Sequence, residues 1–200
     1  MNAPETTKQP RAGIRRAAAL LFALCLCAAA AESRGAAAQR REHLTPEEIE
    51  LVRDNQSLDD RTKVFVKAAE RRLRAVTDPA EAARDAAKDR EKWGEVKGTR
   101  AQLFYDISKI LDEAVVNIDD VAEHSPDSPL LRKSLFMLAE ATNKMLPELT
   151  KLRGAAQSEA EADQLDRALE TAREITDAAK EKGVSAEDLK AKAKAAKKND

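Results

Sequence analysis

The sequence predicts an all-α fold, an antiparallel helical bundle of four to five helices behind an N-terminal signal peptide. Apolar residues recur at spacings of three and four along the long segments, which is the period of a helix face. No stretch alternates apolar and polar side chains as a half-buried strand would. Of the 200 residues, 36% are charged and 3% aromatic, a balance that suits a helical bundle.

Residues 1–38 read as the signal peptide. Arg11, Arg15 and Arg16 form a positive n-region, and Ala17 to Ala31 an uncharged apolar run. Small-residue sites follow, and cleavage is expected after Ala31 or after Ala38. A membrane-crossing helix needs about 20 apolar residues, more than this run offers. Leu24 before Cys25 and Leu26 before Cys27 do not fit a lipoprotein anchor. Ala17-Ala18-Ala19 after Arg15-Arg16 does not fit a twin-arginine signal. The richness in Ala, Arg and Asp suggests a bacterium, so the expected location is periplasmic or extracellular. Cleavage would remove both cysteines, and with them any disulfide or thiolate metal site.

Cleavage after Ala38 leaves 162 residues, enough for one domain. Segment 1–38 takes five basic and two acidic residues from totals of 35 and 36, leaving 30 and 34 and a net charge of −4. Nucleic-acid binding is not expected of such a chain, because it needs clustered positive charge.

The helical domain is expected over residues 45–182, after a polar, flexible leader at 32–44. Thr45-Pro46-Glu47-Glu48 opens the first helix: Thr45 caps it, Pro46 suits its first position and Glu48 completes a capping box. Ile49 and Val52 give it a short apolar face. Ser57, with Asp60 three residues on, caps a second helix over 58–76, with the stripe Leu58, Thr62, Phe65, Ala69, Leu73 and Val76. Thr77-Asp78-Pro79 interrupts it, since proline disfavours helix at the residue before it. Residues 79–93 are Ala-rich and charged, with Ala82, Ala83, Ala86 and Ala87 as their only apolar face. Methyl groups alone bury little area.

Gly94 and Gly98 bracket a turn, and Thr99 opens a long helix to 123. Its stripe is Phe104, Ile107, Leu111, Ala114, Ile118 and Val121. The turn 124–128 leads to a helix that ends near 153 and carries Leu131, Leu135, Leu138, Thr142, Met145, Leu149 and Leu152. A repeat of about 3.5 residues on two helices joined by a short turn predicts a hairpin with coiled-coil-like packing. Pro147 should kink the second of these helices. After Gly154, a last long helix over 158–182 carries Ala162, Leu165, Ala168, Ala172, Ile175 and Ala179, and Gly183 ends it. Residues 183–200 are expected to form a short basic tail helix. Val64, Val66, Val116, Phe136 and Met137 fall off their stripes. They read as singly exposed apolar side chains, or together as a partner or dimer surface.

Leu44-Thr45-Pro46-Glu47-Glu48 resembles the Leu-Thr-x-x-Gln element of small periplasmic helical stress chaperones, with Glu48 in place of the glutamine. The likeness covers five residues, a capping box explains the same letters, and no family is assigned.

No residue is assigned a catalytic or cofactor-binding role, and the chain is read as not an enzyme. Nucleophilic hydrolysis needs a nucleophile beside a positioned base, and the histidines are His43, in the leader, and His124. The candidate metal ligands are His124, Asp120 and Asp127, with Asp119 and Glu123 nearby. A histidine at a helix C-terminus is favoured by the helix dipole alone, so no metal is assigned. Met145 sits on a core stripe and reads as packing, not as a haem ligand. Asp106, Glu113, Asn117, Asp120 and His124 share one face of the long helix, read as solvated surface. Lys63, Lys67, Arg71, Arg72 and Arg74 form a basic face interleaved with Asp59, Asp60 and Glu70, read as ordinary surface pairing.

The expected function is that of an exported bacterial-envelope protein acting by protein–protein contact, as scaffold, adaptor or chaperone-like binder. A periplasmic bundle that binds a metal or small ligand is the alternative. An unknown protein partner or self-association is expected, with no nucleic acid. Any membrane contact is confined to the tail lysines 190, 192, 194, 197 and 198.

Overall fold

The computed structural model describes residues 41–185. Contacts divide the chain into two units, Met1–Arg41 and Glu42–Asp200, and the helices described lie in the second. The expected signal peptide, both expected cleavage positions and the tail beyond residue 185 lie outside the described residues.

The described residues form six helices and no strand: α1 (Pro46–Asp54), α2 (Leu58–Thr77), α3 (Pro79–Trp93), α4 (Arg100–His124), α5 (Pro129–Gly154) and α6 (Glu159–Glu181). The fold is all-α, and the expected count of four to five is corrected to six. The short α1 and the alanine-rich α3 are helices in their own right because each has its own side-chain cap and a proline in its first turn. Among the described residues no helix is long and apolar enough to cross a membrane.

The ends of the helices follow from the local sequence. The Thr45 hydroxyl accepts from the Glu48 N–H at 3.1 Å, and the Glu48 carboxylate accepts from the Thr45 N–H at 2.9 Å. Thr99 and Gln102 form a second capping box at the start of α4. Ser57 caps α2 and Ser158 caps α6. At the end of α6, Gly183 takes φ +57°; its N–H bonds the Lys180 carbonyl and the Val184 N–H bonds the Ala179 carbonyl, a Schellman closure. α5 continues through Pro147, which lies on its exposed side.

The core is one cluster drawn mainly from α2, α4, α5 and α6, with Phe65, Phe104, Ile107, Leu111, Leu138, Leu149 and Leu165 fully enclosed. α4 lies against α2 on one side and α6 on the other, and α5 also lies against α6 and α2. α2 and α6 do not meet, and α4 and α5 touch only slightly. The expected α4–α5 hairpin is therefore corrected: the two helices are consecutive in the chain but sit across the core from each other. Their stripes face the core as expected, buried along Phe104–Ile118 and Leu138–Leu149 and half-buried at Val121, Leu131, Leu135 and Leu152, against different neighbours, because a 3.5-residue repeat specifies a buried face and not which helix covers it.

Burial departs from the sequence reading elsewhere too. Leu44, placed in the flexible leader, belongs to the core, and Val64 is buried. Val116 stays out as expected, at 63% exposure. On α3 only Trp93 is buried, and the alanine face is exposed or half-exposed.

Candidate functional site

His124 is exposed at the last turn of α4, with its Nδ1 2.8 Å from the Asp120 backbone carbonyl and 3.5 Å from the Asp120 carboxylate. These two candidate ligands are thus adjacent, one helical turn apart. Asp127 is an exposed residue of the following turn. Among the described residues no group of three or more His, Cys, Asp or Glu side chains could hold a metal ion. His124 closes a helix end, where a ring nitrogen meets a last-turn carbonyl.

The polar face of α4 is not solvated surface throughout. Asp106 is buried, Glu113 pairs with His43 at 2.6 Å, and Asn117 accepts from Arg61 of α2 at 3.1 Å. The upper turns of this face therefore join α4 to its neighbours, and only its C-terminal end, Asp120 and His124, faces solvent. His43 also leaves the leader category, since its backbone carbonyl accepts from Arg72 at 2.8 Å.

The basic face of α2 is corrected more strongly. Arg72 is 2% exposed and Glu48 is fully buried. The Glu48 carboxylate accepts from both Arg71 and Arg72. Arg72 further donates to the Ala68 carbonyl, and Arg71 to the carbonyls of Trp93 and Gly94. The lone tryptophan lies beneath Lys67 at 4.4 Å and near Arg71 at 5.6 Å from the ring centre. Two residues of an apparent surface pattern are therefore internal struts, because an unpaired buried Glu48 would be costly. Trp93 was missed in the sequence, where the available signal was a bulky apolar residue ending an alanine-rich helix just before Gly94.

Beside this node, between α2 and α3, runs a groove of about 610 Å³. Its apolar lining comes from Val66 and Ala75 of α2, Ala82, Ala83 and Ala86 of α3, Val96, Leu103 of α4 and Met137 of α5. The space exists because alanine methyls are too short to fill the gap between the helices. Two ion pairs cross it, Arg74–Asp85 at 2.6 Å and Lys67–Asp89 at 3.4 Å. Lys63, Lys67, Arg71 and Arg74 balance Glu70, Asp85, Asp89 and Glu95, so the lining carries no net charge. Lys97, with help from Arg90, holds the Glu95 carboxyl below its ordinary value. Phe136, another off-stripe residue, lies in a separate hollow of about 320 Å³ between α5 and α6.

The groove offers aliphatic surface rimmed by paired charges, an arrangement suited to binding an apolar face. Comparison of the chain with protein-family models, with curated proteins and with solved structures finds no match.

Proposed function

We propose that the chain is an exported, non-enzymatic helical-bundle protein of the bacterial envelope that acts by protein–protein contact, as scaffold, adaptor or chaperone-like binder. One observation carries the reading: Val66 of α2 and Met137 of α5, both off their core stripes, line a single apolar groove. A shared apolar surface of this kind, rimmed by polar residues, is what a contact site requires. The neutral rim favours an apolar or mixed-charge helix face over a nucleic acid or another strongly charged partner. Export rests on the n-region, apolar run and small-residue sites of residues 1–38.

The test replaces Val66 with a photo-crosslinking benzoylphenylalanine in the exporting cell, with exposed Glu170 on α6 as the control position. A discrete adduct from position 66 and none from 170 is expected. No adduct from 66, together with a strict monomer by light scattering, overturns the reading. N-terminal sequencing of the exported protein tests the signal peptide directly.

The groove volume also falls in the range of small-ligand sites, about 300–1,000 Å³, which favours the small-ligand alternative as a second reading. Displacement of a fluorescent apolar probe by a low-molecular-weight extract, and not by a helical peptide, selects it.

A further inference from the structure

We propose that the segment 43–54 is a latch that holds α3 down over the groove, and that it works through one shared guanidinium, that of Arg71. As regulation of a partner site this rests on the contact reading above; the mechanical coupling stands independently of it.

The geometry begins at the C-terminal end of α3, whose last carbonyls have no partner within the helix. Arg71 supplies one: it donates to the Trp93 carbonyl at 2.8 Å and to the Gly94 carbonyl at 2.6 Å. The same guanidinium donates to the fully buried Glu48 carboxylate of α1. The Thr45 hydroxyl, at the cap of α1, donates to the Trp93 carbonyl at 2.9 Å. Glu47 closes the corner, since a Cβ built on Gly94 would stand 2.1 Å from its carboxylate oxygen. The start of α1 and the end of α3 therefore share both their donors and their space.

The rest of α3 is lightly held. Trp93 is its one buried residue, and the ion pairs it makes with α2 are the exposed Arg74–Asp85 and Lys67–Asp89. Exposed pairs of this kind contribute little. Segments with few buried contacts open at lower free energy than the core. The seat of α3 is thus its C-terminal corner, and that corner is completed by α1. Neutralising Glu48 removes the charge that positions Arg71, and Arg71 in turn holds the Trp93 carbonyl. The coupling is reciprocal by thermodynamic necessity, so straining the corner from the α3 side must loosen α1.

The chain's single tryptophan gives a direct readout in the full-length protein. Acrylamide quenching of Trp93 and hydrogen exchange by mass spectrometry are measured in Glu48→Gln and, from the opposite side, in Gly94→Ala. In both variants quenching is expected to rise by at least about twofold, and exchange in 43–54 and 86–97 by about tenfold. α4 and α6, which exchange through larger openings, should stay protected over the same labelling time. Looser 43–54 with Trp93 unmoved in Glu48→Gln overturns the latch. So does loss of protection in α4 and α6 within that labelling time, which would make the node part of the global fold. A latch that passes with no adduct at Val66 leaves the coupling intact and removes the contact reading instead.

Discussion

Arg72→Met is the most informative single substitution for stability. Arg72 is enclosed to 2% exposure and donates to the Glu48 carboxylate, the His43 carbonyl and the Ala68 carbonyl. Methionine keeps much of the stem's volume and removes the charge. Breaking a buried ion pair outright costs about 3–5 kcal/mol. Here Glu48 retains Arg71 and the Thr45 N–H, so the loss falls below that range. The His43 carbonyl, left without this donor, adds about 1–3 kcal/mol. The expected total is about 2–4 kcal/mol, or roughly 10 °C in Tm at the 2–4 °C per kcal/mol usual for a domain of this size. Urea denaturation of wild type, Arg72→Met, Glu48→Gln and the double variant gives the coupling, expected at about 1–3 kcal/mol. Additive single variants, or an Arg72→Met protein within about 0.5 kcal/mol of wild type, would refute the view that this pair fastens α1.

The other predictions concern pH, glycine, core and metal. Lys133, then Ser57, hydrogen-bond the Asp59 carboxylate and hold its pKa below the ordinary 3.8. Its contribution is therefore present above the unfolded value and lost as pH falls below 3.8 through the folded value. The stability gap between wild type and Asp59→Asn, read by urea melts, should hold from about pH 7 to pH 5 and close in strong acid; a gap that does not change with pH contradicts this. Gly94→Ala should cost about 1–3 kcal/mol, because Gly94 sits at φ +65° against Glu47. Gly154→Ala, with nothing within 4 Å of the added methyl, should be neutral to slightly stabilising in thermal melts. Leu111→Ala, at a fully enclosed site, should cost about 2–5 kcal/mol, and Val116→Ala on the exposed side of the same helix under about 0.5 kcal/mol. Calorimetric titration with Zn²⁺ should give the same trace for wild type and His124→Ala; a heat lost in the variant would revive a metal role for that helix end.

The parts of the fold that were legible in the sequence are those written locally. Thr45 with Glu48, Ser57 with Asp60 and Gly183 mark helix ends because caps act over three or four residues. The stripes from Leu58 to Val76 and from Phe104 to Ile118 are buried because a helical period is itself local. Pairing of the helices was not legible, since the same leucines fit any apolar neighbour. Nor were Glu48, Arg71 and Arg72 as a unit: the partners lie more than twenty residues apart, and i, i+4 charge spacing on α2 offered a nearer explanation. Val66 and Met137 stood out as misfits on their own helices, while the groove they share depends on how α2, α3 and α5 come together.

The order of the helices has a consequence for how the chain reaches this state. α4 and α5 are synthesised one after the other, yet each lies between α2, already made, and α6, the last of the described helices to emerge. A nascent chain that stops at Gly154 can seat α4 and α5 on α2 but lacks the rod that covers their other flank. Closure of that flank must wait for residues 159–181, so apolar surface of α4 and α5 stays uncovered, and open to chaperones, until α6 is made.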